Sequence, residues 1–101
     1  MKADETLVWI IYDISDDRAR TKIAKACKQK GLYRVQYSAF VGSINHNSLD
    51  ELTLQMEDLM DDDGDKVYIF PMCEDDFRKC RLLGEAFDQK LVKGDLLELI
   101  F

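Results

Sequence analysis

The segment that decides the fold is LVWIIYD, residues 7–13. It begins with six consecutive apolar or aromatic residues, three of them β-branched, in a run that is too short for a buried helix. Such a run predicts a central β-strand that is covered on both faces. A single carboxylate, Asp13, ends the run, and the polar turn that follows leads into a basic segment. We therefore expect Asp13 at the end of a buried strand, facing an electropositive loop.

Charge is segregated along the 101-residue chain, whose formal net charge is -6. Residues 18–49 contain seven Lys and Arg residues and no Asp or Glu, whereas residues 50–76 contain eleven acidic residues and one lysine. This pattern predicts that one face of the protein binds a polyanion while another face repels it. The alternative is that both segments are ordinary solvated helix faces.

Length and composition indicate one domain over residues 1–101. No apolar run approaches the roughly 20 residues of a membrane span, and the polar, acidic start of the chain is unlike a secretory signal, so we expect no membrane association. The three cysteines, Cys27, Cys73 and Cys80, form no C-x-x-C pair, which argues against a disulfide framework and a zinc site. These observations predict a protein of the reducing cytoplasm.

Periodicity predicts an amphipathic helix over residues 16–30, with Ala19, Ile23 and Cys27 on its apolar face and Gly31 as its stop. Residues 32–44 alternate as β-structure does, either as one long strand or as two short strands bent near Ser38. A second helix is predicted to start at Ser48 through a capping box with Glu51.

Two further strands complete the expected fold. KVYIFPM, residues 66–72, is predicted to be a strand, and Pro71 indicates either the end of that strand or a sheet edge, because proline cannot donate to a sheet ladder. The apolar residues 94–101 read as a terminal strand that pairs with a neighbouring subunit. Strands and helices in this order predict an α+β sandwich, and the topology is ferredoxin-like βαββαβ if the middle strand region folds as a hairpin.

Asp13 is the strongest candidate for chemistry. The sequence has no G-x-S-x-G, Walker loop or G-x-G-x-x-G motif, and its one histidine, His46, cannot form a histidine metal cluster. Magnesium often takes only one or two protein carboxylates, so a two-fold axis near the strand end would let two Asp13 side chains share one ion. Asp16 and Asp17 are neighbouring alternatives, and Asp13 could instead only accept backbone hydrogen bonds or cap the helix.

Aromatic residues alternate with basic ones in the same part of the chain. Such a mixture can stack bases and hold a nucleic-acid backbone, although aromatics at strand spacing are more often part of a core. The residues concerned are Tyr12, Lys30, Tyr33, Arg34, Tyr37 and Phe40.

Three features together resemble the CRISPR-associated protein two family, the small dimeric partner of the integrase in prokaryotic adaptive immunity. They are YDI (residues 12–14) after a hydrophobic strand, the basic helix with Arg18 and Arg20 that ends at Gly31, and RVQYSAFVG (residues 34–42). The acidic loop, the KVYIFPM strand and the terminal LLELIF strand follow in the order expected for this family.

The resemblance implies a ferredoxin-like fold and a homodimer that exchanges its C-terminal strands, with residues 74–101 as a dimerisation extension. It implies that Asp13 binds Mg²⁺, or another divalent cation, together with its symmetry mate. Six further positions match positions near the same cleft of the family: Tyr12, Arg18, Arg20, Arg34, Ser38 and Phe40. All of these except Arg20 form, with Asp13, the predicted catalytic set. The nucleic-acid-binding set predicted from the match and from the charge pattern is Arg18, Arg20, Lys22, Lys25 and Arg34.

Members of this family are described as magnesium-dependent endonucleases acting on RNA or DNA, and as bridges between integrase dimers (CRISPR-associated protein one) across foreign DNA. The first hypothesis is accordingly a metal-dependent endonuclease of CRISPR adaptation. The second is a catalytically silent scaffold that bridges integrase dimers and binds DNA. A third is a ferredoxin-like regulatory domain that binds a small molecule and no nucleic acid.

Overall fold

The computed structural model describes residues 4–83, which form four strands and three helices. Along the chain these are β1 (Glu5–Asp13), α1 (Asp17–Gln29), β2 (Tyr33–Gln36), β3 (Ala39–Asn45), α2 (His46–Leu59), β4 (Lys66–Met72) and α3 (Glu74–Lys79). None of these helices is long and apolar enough to cross a membrane. The predicted terminal strand, residues 94–101, and its exchange between subunits lie outside the described residues.

The four described strands form one antiparallel sheet in the order β2-β3-β1-β4. This order, with α1 and α2 as the two crossovers, is the ferredoxin-like α+β sandwich that was predicted. The middle strand region is a hairpin with its turn at Tyr37 and Ser38, and a bulge between Arg34 and Gln36 adjusts the pairing of its two strands. Of the two alternatives for residues 32–44, two short strands is therefore correct.

Alternate side chains of β1 are buried on opposite faces of the sheet. Val8, Ile10 and Tyr12 pack under α1 and α2, whereas Leu7 and Trp9 belong to a second core on the opposite side. We call that opposite side the open face. Phe77 of α3 covers part of it by stacking on Trp9, with ring centroids 6.0 Å apart. Burial on both faces explains the apolar run from Leu7 to Ile10, whereas Ile11 on the open face is 40% exposed.

Helix α1 has the ends that its sequence predicts. The Asp16 carboxylate caps it by accepting a hydrogen bond from the Ala19 amide at 2.8 Å, and Gly31 follows the helix with a φ of 84°. Ile23 and Cys27 of its apolar face are fully buried. Burial raises the pKa of the Cys27 thiol to about 12, so this cysteine is an unreactive part of the core.

Helix α2 starts earlier than predicted, and its cap is a different residue. The helix begins at His46, and the Asn45 side chain accepts a hydrogen bond from the Ser48 amide at 2.8 Å. The predicted Ser48 cap is therefore wrong. Asn45 takes the capping role because it ends β3 in an extended conformation directly before the first helical turn, whereas Glu51 forms an ion pair with Lys30 of α1.

The cap assignment gives a direct test of stability. Replacing Asn45 by Ala is expected to lower the free energy of unfolding by about 1 kcal/mol, because the Ser48 amide loses its acceptor. Ser48→Ala keeps the backbone amide and the Asn45 oxygen, so we expect a change within about 0.5 kcal/mol. Urea unfolding of both variants measures the difference. A larger loss for Ser48→Ala than for Asn45→Ala would contradict this assignment.

Candidate functional site

Asp13 is the last residue of β1, and its side chain is exposed. Its Cα pairs with that of Lys66, the first residue of β4. Because side chains alternate along a strand, the buried Tyr12 points under the helices, whereas Asp13 belongs to the open face with Ile11. The carboxylate therefore stands at one end of the open face, where the strand gives way to a loop.

The two neighbouring acids have structural tasks in the first helix. Asp16 caps α1, and Asp17 forms an ion pair with Arg20 within the first turn of the same helix. Both contacts place negative charge where the helix dipole favours it. These contacts favour Asp13 over its two neighbours as the candidate metal ligand.

Tyr12 and Arg34 converge on the turn between β2 and β3. The Tyr12 hydroxyl donates to the Tyr37 carbonyl oxygen at 3.3 Å, and Arg34 donates to the same oxygen from Nε at 3.2 Å and from Nη2 at 2.7 Å. Burial raises the pKa of Tyr12, although the Arg34 cation partly opposes this, so the hydroxyl keeps its proton at neutral pH. Together the two side chains fix the position of the turn.

The structure brings several of the predicted site residues together at this turn. The Arg34 guanidinium lies 5.6 Å from the centre of the Phe40 ring, which itself stacks on Tyr12 with centroids 6.4 Å apart. The Ser38 carbonyl accepts a hydrogen bond from the Tyr12 amide at 3.0 Å. Phe40 is fully buried, so it packs beneath Arg34 and does not present its ring to a substrate.

The other predicted residues are distributed over α1. Arg18 is exposed in the first turn, and Arg20 donates to the Ile14 carbonyl oxygen at 3.1 Å. Lys22 lies with Lys25 in a shallow depression that faces α2. The predicted set therefore divides between the turn, the helix and the open face, and Asp13 is separated from Tyr12 and Arg34 by the sheet itself.

A groove of about 610 Å³ lies between α1 and the turn of the β2–β3 hairpin. Four cationic side chains line it, and we call it the basic groove: Arg20, Lys25, Lys28 and Arg34, with Asp17, Thr21, Ala24, Gln29 and Tyr37. Of the four cations, Lys28 was not predicted to bind nucleic acid. Its spacing of three residues from Lys25 could have indicated it, since such positions share one face of a helix.

Metal binding by this chain would depend on Asp13. Among residues 4–83 there is no group of three or more His, Cys, Asp or Glu side chains that could hold a metal ion. One exposed carboxylate fits a magnesium ion that keeps several waters and takes further ligands from phosphate oxygens or from a second chain. The donor set is therefore compatible with Mg²⁺ as half of a shared site.

A contact between two loops was not predicted from the sequence. The Asp65 carboxylate, which precedes β4, accepts hydrogen bonds from the Ser15 amide at 3.1 Å and from the Ser15 hydroxyl at 3.2 Å. It also accepts one from the Asp61 amide at 2.9 Å. These hydrogen bonds hold the pKa of Asp65 below its usual range because they stabilise the ionised form. No local pattern links Ser15 and Asp65, which are 50 residues apart in sequence.

Fold and site together define a ferredoxin-like domain with one exposed carboxylate at the end of its central strand and a basic groove beside its first helix. The family model for CRISPR associated protein Cas2 matches residues 6–80, and the chain belongs to this family. This match confirms the resemblance noted in the sequence.

Two relatives illustrate the similarity in sequence. The chain is 45% identical over 65 residues to CRISPR-associated endoribonuclease Cas2 1 of Archaeoglobus fulgidus, a match that covers 64% of this chain and 69% of that protein. It is 31% identical over 88 residues to CRISPR-associated endoribonuclease Cas2 of Korarchaeum cryptofilum, covering 85% of this chain and 92% of the other.

Solved structures have the same fold. The hypothetical protein TT1823 from Thermus thermophilus superposes with a TM-score of 0.68 at 31% identity, covering 79% of this chain and 92% of the other. Streptococcus pyogenes Cas2, solved at pH 6.5, gives a TM-score of 0.68 at 22% identity, covering 77% and 99% of the two chains. At that identity, the second comparison bears on the fold alone.

Proposed function

We propose that this protein is a metal-dependent endonuclease that hydrolyses phosphodiester bonds, with single-stranded RNA as its first candidate substrate. The main observation in support is the exposed Asp13 carboxylate at the end of β1. It lies at the same end of the sheet as the turn that Tyr12 and Arg34 hold. The names of the relatives, which are CRISPR-associated endoribonucleases, support this choice of reaction. In the same proposal the protein takes part in spacer acquisition together with the CRISPR integrase.

A second copy of the chain completes the proposed site. Ile11, Tyr68 and Phe70 form an apolar patch on the open face, and each is 40% to 47% exposed. Asp13 follows Ile11 by two residues and so borders this patch on the same face. A two-fold axis through the patch would bury it and bring two Asp13 carboxylates to one place.

The proposed reaction uses residues on both faces of the sheet: Asp13 on the open face and the basic groove on the helix side. When bound by the two Asp13 carboxylates, a divalent cation supplies charge neutralisation at a phosphodiester and a water of lowered pKa. The cations of the basic groove hold neighbouring phosphates of the same strand, with Arg34 able to form paired hydrogen bonds to one phosphate. Tyr12 keeps the turn, and with it Arg34, in place.

The deciding experiment is a nuclease assay on single- and double-stranded RNA and DNA, with and without magnesium. Wild type is compared with Asp13→Asn. Cleavage that requires both magnesium and Asp13 is the expected result. Equal cleavage by the two proteins would assign the activity to another site or to a contaminant.

A scaffold without turnover is the second candidate function. It is favoured by the position of the basic groove, which lies on the helix side of the sheet, whereas Asp13 lies on the open face. A nucleic acid in the groove therefore need not reach the carboxylate. In this case Asp13→Asn would still support spacer acquisition with the integrase, and only loss of groove cations would reduce it.

Charge reversal in the groove tests nucleic-acid binding directly. Lys25→Glu combined with Lys28→Glu is expected to weaken binding by at least about tenfold near 0.1 M salt. Each phosphate contact releases a counterion from the nucleic acid, and this favourable release is lost together with the contact. The slope of log affinity against log salt should become less steep by about two. Fluorescence anisotropy with a labelled oligonucleotide at several salt concentrations measures both quantities.

The matched control is Lys79→Glu combined with Arg81→Glu. It changes the net charge by the same amount at exposed positions on α3 and just after it, away from the groove. Binding by this variant should stay close to that of wild type. An equal loss in both double variants would show that only the total charge matters, and would contradict binding in the groove.

A further inference from the structure

The loop that follows Asp13 is held by a side chain that is 50 residues away in sequence. Asp65 accepts hydrogen bonds from both the amide and the hydroxyl of Ser15 through the single oxygen Oδ1, at 3.1 Å and 3.2 Å. Its second oxygen, Oδ2, accepts from the Asp61 amide at 2.9 Å. One carboxylate thus joins the loop after β1 to the loop before β4.

This contact links the chain segments after β1 and before β4, beyond the last residue pair of their backbone ladder. The pairing of β1 with β4 ends at Asp13 and Lys66, so the backbone ladder by itself leaves Asp13 at a free strand end. Strand ends without further pairing are prone to local opening. Ser15 and Asp65 flank that last pair, and their hydrogen bonds close the strand end where Asp13 stands.

The same loop is fixed from the helix side as well. Arg20 Nη1 donates to the Ile14 carbonyl oxygen at 3.1 Å, and the Ile14 side chain is buried in the core. The backbone after Asp13 is therefore held through its carbonyl by α1 and through its amide by Asp65. Such a pair of restraints fixes the backbone directly after Asp13, and with it the direction in which the Cα–Cβ bond of Asp13 leaves the strand.

We propose that Asp65 is a positioning residue that orients Asp13 for binding a divalent cation. The inference rests on the proposed function, in which Asp13 is the metal ligand. In this proposal Asp65 acts through the loop and not as a ligand: its Oδ1 accepts two hydrogen bonds from Ser15, and its Oδ2 accepts one from the Asp61 amide. Removing a residue that hydrogen-bonds directly to a metal ligand commonly changes metal affinity by about 10- to 100-fold. Asp65 acts through the backbone at Ser15, so the lower end of that range is expected.

The test measures metal binding at Asp13 without relying on turnover. Mn²⁺ is titrated into the full-length protein, and the broadening of the Asp13 and Ile14 backbone amide signals is followed by NMR. Hydrogen exchange of the Ser15 amide reports separately on whether the Asp65 contact is present. Asp65→Asn keeps the size of the side chain but cannot accept hydrogen bonds from both Ser15 and Asp61.

Asp65→Asn is expected to require at least about tenfold more Mn²⁺ for the same broadening, with faster exchange at Ser15. Ser15→Ala, which keeps its amide and loses only the hydroxyl, should fall between Asp65→Asn and wild type, and it serves as the second variant if Asp65→Asn unfolds. Asp62→Asn removes the same charge from the same loop without removing an acceptor from Ser15, and should stay within about twofold of wild type.

Three results would overturn the inference. The first is an equal weakening by Asp65→Asn and Asp62→Asn, which would mean that only the charge of the loop matters. The second is unchanged Mn²⁺ binding despite faster exchange at Ser15. The third is an absence of site-specific broadening at Asp13 in wild type. If wild type binds Mn²⁺ at Asp13 but cleaves no nucleic acid, the proposed endonuclease function fails, while the comparison of variants still decides the role of Asp65.

Discussion

Asp13→Asn is expected to reduce magnesium-dependent cleavage of RNA by on the order of 10²-fold or more, while the protein remains folded and keeps the oligomeric state of the wild type. A bound divalent cation stabilises the charge of a phosphodiester transition state by several kcal/mol, and each 1.4 kcal/mol or so corresponds to a factor of ten in rate. Asparagine keeps the shape of the side chain but not its charge. Because Asp13 is exposed at a strand end, the loss should not reduce stability.

The measurement is initial-rate cleavage at several magnesium concentrations, with thermal unfolding and sedimentation of each variant. Asp62→Asn, which removes one exposed carboxylate from the α2–β4 loop, is the charge-matched control and should cleave at the wild-type rate. Full activity of the purified, folded Asp13→Asn variant would contradict the proposed catalytic role. Cleavage that is independent of magnesium would count against the metal site in the same way.

Phe70→Glu is expected to convert the proposed homodimer into monomers, raising its dissociation constant by on the order of 10²-fold or more. Phe70 lies on β4, at the edge of the sheet formed by the described strands, where its ring is parallel to that of Tyr68 with centroids 6.1 Å apart. A glutamate here would place a charge in the centre of a buried apolar interface without a partner, which is strongly unfavourable. Cleavage should decrease as the dimer dissociates, since each monomer has one Asp13 and the proposed site uses two.

Sedimentation equilibrium over a range of protein concentrations measures the dissociation constant. Leu54→Glu is the matched control, because Leu54 is 62% exposed on α2, on the other side of the sheet. This variant should dimerise as wild type does. If Phe70→Glu dimerises with unchanged affinity, the open face is not the interface, and the pairing of two Asp13 carboxylates loses its structural basis.

Much of the fold follows from local patterns in the sequence. The continuous apolar run in residues 7–12 predicts a strand buried on both faces, and β1 has a core on each side. The period of α1 places Ile23 and Cys27 in the core. For Pro71 the prediction is a strand end or a sheet edge, and Pro71 is the next-to-last residue of β4, which lies at the edge of the described sheet. These predictions succeed because burial and backbone hydrogen bonding act on residues that are close in sequence.

Other features depend on where the chain is brought together in space. Alternation by itself does not choose between one strand and a hairpin for residues 32–44, and the hairpin forms because β3 pairs with both β2 and β1. The start of α2 was misplaced because Ser48 has a suitable side chain, but only the end of β3 at Asn45 determines where the helix begins. Both outcomes are set by sheet pairing, which a local pattern does not contain.

The candidate site likewise depends partly on local sequence and partly on contacts between distant segments. The sequence by itself determined that Asp13 ends the central strand and that the nearby cations belong to one helix and the following strand. Only the tertiary structure decided that Tyr12 and Arg34 meet at the Tyr37 carbonyl, that Asp13 faces the opposite side of the sheet, and that Asp65 holds Ser15. The physical reason is that hydrogen bonds between distant segments form where folding places donors and acceptors within about 3 Å, whatever their separation along the chain.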